Sequence, residues 1–462
     1  MKYLFTILFT VIFLTCQSQT KTVFGVETFI QQIKQYHPIA KQAAIQVDKA
    51  TAALLTAKGA FDPTINVDAS RKTFDGKNYY YYTNPELKVP LPVGDVKTGI
   101  ENNGGSFLSS EESNGKTSYL GLEIPLAKGL LIDKRRATLQ QAKIFRNQSE
   151  QEKLKMLNDL LFDAYNAYWQ WAGAFQQYII FSKYVQINTD RLRLLRITNA
   201  NGDRSAMDTL EAFTQLQNFE IMQTDALQKF NNATIEISNY LWQKNDSAYI
   251  LPTAYIPDEK QFANNLQNID NEDAIVTAAI TQNPNIRTYD FKLQSLEVDR
   301  KLKQQNLLPT LNAKANLLNK DYAVFKGIST NFLENNYKWG IDFKIPIFLR
   351  EGRGDYKQAK LKITETTLEL NQKKWQVENK VKSYFNDFVQ LKRQLQIAQI
   401  AYTNYNKLYS NELLKFDNGE SSLFLLNSRE TKTLEMLQKT IELRVKFFKA
   451  KYAIEWAAGQ LR

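Results

Sequence analysis

Phe61–Ser70 reads FDPTINVDAS, and Leu307–Asn316 reads LLPTLNAKAN. Each opens on Pro-Thr and then alternates apolar and polar residues, the period of a strand with one dry and one wet face. The recurrence is not isolated. His37-Pro38 opens HPIAKQAAIQVDKA, and Asn283-Pro284 opens NPNIRTYDFKLQSLEVDRK. Pro38 to Pro284 and Pro63 to Pro309 share one offset of 246 residues. Pro125 in LEIPL (Leu122–Leu126) meets Pro346 in FKIPI (Phe343–Ile347) at an offset of 221. Gln141–Lys143 meets Gln358–Lys360, and NGDRS at 201–205 meets NGESS at 418–422, both at 217. A constant offset over a long helical stretch indicates an ancestral duplication. The expected repeats are 24–245 and 270–462, joined by a linker over 246–269 that holds Pro252 and Pro257.

Each half is expected to run helix, strand, loop, strand, long helix, tight turn, helix. Only 18 Gly and 11 Pro in 462 residues favour long elements. Leu154, Leu157, Leu161, Ala164, Tyr168, Trp171, Phe175 and Tyr178 step by three and four. Val377, Val381, Tyr384, Phe388, Leu391, Leu395, Ala398, Tyr402 and Tyr405 do the same. This is the coiled-coil spacing, and core packing is the expected use of its aromatics. One helix from about Gly352 to Asp417 would measure on the order of 100 Å. Turns near Gly202 and Gly419 fold each rod back, glycine being free to take positive φ.

Four strands are expected, at about 63–73, 118–126, 309–318 and 337–347. Ile65, Val67 and Ala69 oppose Asn66, Asp68 and Ser70; Leu120, Leu122 and Ile124 oppose Tyr119, Gly121 and Glu123. Leu311, Ala313, Ala315 and Leu317 oppose Asn312, Lys314 and Asn316. Trp339, Ile341, Phe343 and Ile345 oppose Lys338, Gly340, Asp342 and Lys344. The pattern fits a sheet covered on one face, or a membrane barrel with lipid outside and water inside. Strand length and nearby aromatics (Tyr79–Tyr82, Tyr119, Phe332, Tyr337, Trp339) favour the barrel, the aromatics as interfacial girdles. Four strands cannot close, so the chain must oligomerise; two copies give eight strands and three give twelve. Pro63, Pro125, Pro309 and Pro346 mark the breaks between strand and helix.

The N-terminus, MKYLFTILFTVIFLTCQSQ, has Lys2, an apolar run from Tyr3 to Leu14, then small and polar residues. The run reads as a secretory signal over 1–18, cleaved near Ser18, with acylation of Cys16 as the alternative. Nothing later is apolar for the roughly 18 residues a membrane helix needs. The net charge of +11 is spread among acids, no nucleic-acid motif accompanies it, and no nucleic-acid partner is expected.

Enzymatic chemistry has no foothold. The single histidine, His37, precedes a proline at a helix start where its counterpart is Asn283. Gly115-Lys116-Thr117 lacks the upstream glycine of a phosphate loop, Ser110 standing there. No metal cluster or cofactor motif is visible, so neither a metal nor a cofactor is expected.

In order and duplication these segments resemble the TolC family of outer-membrane efflux and secretion channels, over nearly all of the mature chain. The resemblance rests on the helix starts at His37-Pro38 and Asn283-Pro284 and the strand starts at Pro63-Thr64 and Pro309-Thr310. LEIPLAKG and FKIPIFLREGR resemble the family's second-strand exits, and NANGDRSAMDTLEA and FDNGESSLFLLNSRE its periplasmic tip turns. The resemblance implies a homotrimer in the Gram-negative outer membrane. Its 12-stranded β-barrel would continue into a long periplasmic α-helical barrel. It implies a passive conduit of a tripartite efflux or type I secretion system, partnered by a periplasmic adaptor, an inner-membrane pump and outer-membrane lipid. Carried over, the adaptor-docking tips are Gly202, Asp203, Ser205, Asp208, Gly419, Glu420 and Ser422. Asp208 fits the family's acid six residues after the tip glycine; the second copy has Leu425 there. Asp417 and Glu420 are candidates for an acidic constriction, a polar helix end being the alternative. Asp68, Glu123, Lys314, Asp342 and Lys344 are the candidate lumen charges. The competing class is a periplasmic coiled-coil adaptor or scaffold, which would show one hairpin among many strands, or no need of amphipathic strands. Small-molecule export, metal-ion export and protein secretion all remain open, because cargo choice lies largely with the pump.

Overall fold

A computed structural model describes residues 22–264, 269, 271–322 and 336–462. The expected signal segment with Cys16, and Phe332, lie outside the described residues. The elements run β1 Thr22–Phe24, α1 Val26–Tyr36, α2 Pro38–Gly59, β2 Thr64–Phe74, β3 Lys77–Leu91, β4 Gly94–Gly104 and β5 Gly115–Pro125. Then come α3 Lys134–Ala200, α4 Ala206–Ser238, β6 Tyr255–Pro257, α5 Glu259–Asn264, α6 Glu272–Gln282 and α7 Pro284–Gln305. β7 Thr310–Lys320, β8 Tyr337–Lys344, α8 Arg350–Asp417 and α9 Leu423–Ala458 complete the chain. Lengths recur in order: α1 and α6 have 11 residues each, α2 and α7 have 22 each, α3 has 67 and α8 has 68.

The chain divides into two compact units. One comprises Met1–Lys41, Met156–Val276 and Lys380–Arg462, the other Gln42–Lys155 and Thr277–Asn379.

The first unit is helical. α3 has no proline and a single glycine, Gly173, so nothing interrupts its ladder. Leu161, Ala164, Tyr168, Trp171 and Phe175 of its seam are buried, as are Val381, Phe388, Leu395 and Ala398 of α8. α3 and α9 stack rings in three successive rungs: Phe162 on Trp456 (4.4 Å), Tyr165 on Tyr452 (3.7 Å) and Trp169 on Phe448 (3.8 Å). Rungs three and four residues apart place each ring over the next turn of its helix. Gly173 and Val445 make the next rung, where a β-carbon on the glycine would lie 2.4 Å from Val445 Cγ2. Two buried polar groups on this seam are satisfied: Tyr168 donates to the Phe24 carbonyl at 2.9 Å, and Trp171 Nε1 to Thr234 Oγ1 at 2.9 Å. The expected linker over 246–269 holds structure of its own. β6 pairs in parallel with β1, and Phe262 of α5 is buried in the aromatic core.

The second unit carries an antiparallel sheet of order β2-β3-β4-β5-β7-β8. Among the described residues it has six strands where the sequence indicated four. The added pair, β3 and β4, spans 77–104. Pro85, Pro90 and Pro92 disguised it, because proline ordinarily argues against an interior strand. The structure accommodates Pro85 by a gap: β3–β4 pairing skips from Thr83↔Asn102 to Glu86↔Gly99. The expected count of four strands per chain, on which twelve from three copies rested, is therefore exceeded among the described residues.

Candidate functional site

Directly paired residues of an antiparallel sheet share a face, so the register sorts every side chain. Asn66 pairs with Glu86, Asp95 with Glu123, Glu123 with Lys314, and Asn312 with Asp342. These polar residues fall on one face, joined by Asp68, Lys88, Lys97, Glu101, Lys338 and Lys344. The other face carries Ile65, Val67, Leu87, Val89, Val96, Leu120, Leu122, Leu311, Ile341 and Phe343. The inserted strands thus continue the alternation across the sheet, with one face apolar and one charged.

The charged face is cross-linked. Lys97 reaches Glu123 at 2.9 Å, Lys314 reaches Glu123 at 3.9 Å, and Lys314 reaches Asp342 at 2.7 Å. The four residues stand on β4, β5, β7 and β8, making one row of alternating sign across four neighbouring strands. Lys88 joins Asp95 at 2.9 Å. Arg135, at the start of α3, also holds Asp95 at 2.8 Å, so the β3–β4 turn is tied to that helix start. Asp133 caps the helix, its Oδ1 accepting from the Arg136 N–H at 2.8 Å.

Of the sequence candidates, Asp68, Glu123, Lys314, Asp342 and Lys344 lie on this one face, Asp68 on one edge strand and Asp342 and Lys344 on the other. The aromatics divide differently from the expected girdle. Tyr80 and Tyr82 fall on the charged face, where their rings stack at 5.6 Å. Tyr119 is on that face too, its hydroxyl donating to Glu86 at 2.6 Å. Tyr119 lies over Gly99, where a β-carbon would come within 2.8 Å of its ring. Tyr81, Tyr337 and Trp339 remain on the apolar face.

The tip candidates gather in the helical unit, in two turns built alike. Gly202 has φ +84° and Gly419 φ +79°. The Gly202 and Asp203 N–H groups donate to the Asn199 and Thr198 carbonyls at 3.0 Å each. Those of Gly419 and Glu420 donate to Phe416 at 3.0 Å and Lys415 at 2.8 Å. Both are the paired closing bonds of a Schellman motif. Three residues on, Ser205 and Ser422 cap the next helices, accepting from Met207 N and Leu425 N. Asp208 stands in the first turn of α4, and Asp417 ends α8. Arg204, which joins the turns, carries no local sequence signal. Its Nη2 donates to the Phe416 carbonyl at 3.0 Å, and its guanidinium lies 4.5 Å from the Phe416 ring centre. The counterpart residue is Ser421, so comparison of the repeats marks the position only as divergent.

A family model described as outer membrane efflux protein matches residues 29–241. Comparison with curated protein sequences gave no match. Among solved structures, the CmeC outer membrane channel of Campylobacter jejuni is similar, with a TM-score of 0.64 at 15% identity over 94% of this chain and 85% of that one. The open state of the Neisseria gonorrhoeae MtrE outer membrane channel gives 0.66 at 13% identity, over 94% and 89%. The Vibrio cholerae outer membrane protein VceC gives 0.62 at 13% identity, over 94% and 95%. At such identities the structural likeness speaks for the fold, and the pointer to the outer membrane comes from the family model over residues 29–241. By sequence over residues 29–241 the chain matches the outer membrane efflux protein family model, and over nearly its whole length its fold is similar to that of solved outer membrane channels.

Proposed function

We propose that three copies of this chain close one β-barrel and act as the outer-membrane channel of a tripartite efflux or type I secretion system. In this reading the barrel is a passive conduit from periplasm to exterior, served by a periplasmic adaptor and an inner-membrane pump. The observation that carries it is the sheet: one face apolar, the other charged, and two open edges at β2 and β8. In lipid an open edge leaves backbone groups unpaired, so the edges need another copy. The strand number is even and the pairing antiparallel, so β2 of one copy meets β8 of the next with directions preserved. Three copies then bring eighteen strands, and barrel diameter grows roughly in proportion to strand number. Exposed apolar residues on α8, among them Trp375, Ile397 and Ile400, supply further surface for a second copy to cover.

The charges Asp68, Glu123, Lys314, Asp342 and Lys344 then line the lumen. The turns with Gly202, Asp203, Ser205, Asp208, Gly419, Glu420 and Ser422 receive the adaptor, and Asp417 and Glu420 narrow the adjacent opening. Purification in detergent tests the reading. A heat-modifiable trimer that conducts ions across planar bilayers is expected. A monodisperse monomer, soluble without detergent and inert in bilayers, would support a periplasmic scaffold instead.

A further inference from the structure

The loop between β4 and β5, residues 105–114, does not stand clear of the sheet. At its start the Phe107 N–H donates to the Tyr79 carbonyl at 2.8 Å, and the Phe107 ring stacks on Tyr79 at 4.7 Å. Gly105 makes the turn at φ +126°, where a β-carbon would lie 2.5 Å from the Tyr79 carbonyl oxygen. The loop then crosses the charged face. Asn103 Nδ2 donates to Glu112 Oε2 at 3.0 Å. Lys338 Nζ meets Glu111 Oε2 at 2.7 Å and the Glu111 carbonyl at 3.0 Å. Asn103 is on β4 and Lys338 on β8, with β5 and β7 between them in the sheet. A single-layer sheet leaves its polar face wet, yet Asn103 is 0% and Tyr119 7% exposed. Glu112 of the loop bonds Asn103, and beside the loop a polar recess of about 440 Å³ is lined by Glu86, Lys97, Glu111, Glu123, Lys314 and Lys338.

We propose that residues 105–114 fold into the lumen as a constriction near the outer mouth, and that its carboxylates make the pore prefer small cations. This rests on the channel reading, in which the charged face is the lumen. Glu86, Glu101, Glu111 and Glu112 cluster there, with Lys338 paired to Glu111, while Lys97 and Lys314 of the adjoining recess are paired to Glu123. Rings of carboxylates at a narrow point attract cations and repel anions. The Glu111–Lys338 pair is largely exposed and screened by salt, so it adds little to holding the loop. The Phe107 stack, the Gly105 turn and the Glu112 bond to buried Asn103 set its position.

The test uses the full chain in outer-membrane vesicles and in planar bilayers. In vesicles, Glu111→Cys with Lys338→Cys should form an intrachain disulfide, because the loop reaches β8. In a KCl gradient, Glu111→Gln with Glu112→Gln should lower the K⁺ over Cl⁻ permeability ratio at least about twofold. Deleting residues 107–112 should raise single-channel conductance. Failure of the disulfide, or a reversal potential and conductance identical to the unaltered protein, would overturn the constriction. Unaltered trimers that never conduct would instead reject the channel reading, and the constriction with it.

Discussion

Arg191 of α3 and Glu430 of α9 meet as a two-pronged pair, Nη1 to Oε2 at 2.8 Å and Nη2 to Oε1 at 2.9 Å, with the Glu430 side chain wholly out of water. Tyr409 of α8 completes the group, taking a bond from Arg191 at 3.0 Å and donating to Glu430 at 3.2 Å. Burial and then the Glu430 carboxylate push the Tyr409 hydroxyl up to about 12, so it stays protonated. Burial works against the Arg191 charge, and the Glu430 carboxylate more than offsets it, so the arginine titrates above its ordinary range. Removing one partner strands the other charge in the core, at a cost of roughly 3–5 kcal/mol, whereas replacing both by apolar residues can be near neutral. Glu430→Leu alone should sharply lower the melting temperature of the helical signal. Arg191→Met with Glu430→Leu should recover most of the loss. A double variant as unstable as the single one would contradict this account.

His37 ends α1 and begins α2, where its Nδ1 accepts from the Ile39 N–H at 3.2 Å. Asn283 does the same before α7, its Oδ1 accepting from the Asn285 N–H at 2.9 Å. The cap needs an unprotonated Nδ1, and burial holds the imidazole below its ordinary value near 6.5, against a bond to the Asn239 backbone. The unfolded chain therefore binds the proton more readily. The histidine's contribution is full above about pH 6.5 and is lost as pH falls through that value toward the lowered folded one. His37→Asn keeps a cap and removes the proton. Between pH 7.5 and 5.5 the unaltered protein should lose more melting temperature than His37→Asn. Equal losses would remove His37 from the pH response.

Much of the helical architecture could be read from single residues, because Pro38 and Pro284 start helices and the glycines at 202 and 419 end them by local backbone chemistry. β2 and β7 were legible for the same reason, Pro-Thr followed by clean alternation. β3 was hidden by Pro85 and Pro90, which weaken the local signal although neighbours on both sides hold the strand in the sheet. The Arg191–Glu430 pair had no local signature at all. Its partners are 239 residues apart, and the duplicated positions, Leu408 and Phe213, carry no charge.

The two faces of β8 should respond oppositely to charge. Phe343 pairs with Leu311 on the apolar face, and Lys344 pairs with Thr310 on the charged face. In the channel reading, Phe343→Arg sets a charge against lipid, costing about 2–4 kcal/mol near the midplane. It should cut trimer yield in membranes, while Lys344→Gln should assemble normally and at most shift ion selectivity. Equal yields from both would show that the faces are assigned wrongly.

Gly173 tests the close approach of α3 and α9. Alanine there would push its β-carbon against Val445, whose branched side chain is stiff on a helix. Overpacking of this kind costs roughly 1–3 kcal/mol. Gly173→Ala should lower the melting temperature, and adding Val445→Ala should restore part of it. An additive loss in the double variant would mean the two residues are not in contact.

The tip glycines separate turn geometry from partner docking. Both have positive φ, and a β-carbon at either would meet nothing within 4 Å. Any side chain therefore strains the backbone by about 1–2 kcal/mol without clashing. Alanine and tryptophan share that strain and differ in bulk alone. If the turns serve only to reverse the chain, Gly202→Ala/Gly419→Ala and Gly202→Trp/Gly419→Trp should reduce trimer yield and export equally. If an adaptor seats there, the two doubles should reach the same trimer yield while only the tryptophan double loses export. Arg204→Ala provides an independent check. It loosens the link to Phe416 while leaving both glycines in place, so it should weaken export less than the tryptophan double. Trimer yield and export measured in the same cells distinguish these outcomes, and normal export by the tryptophan double would rule out docking at the turns.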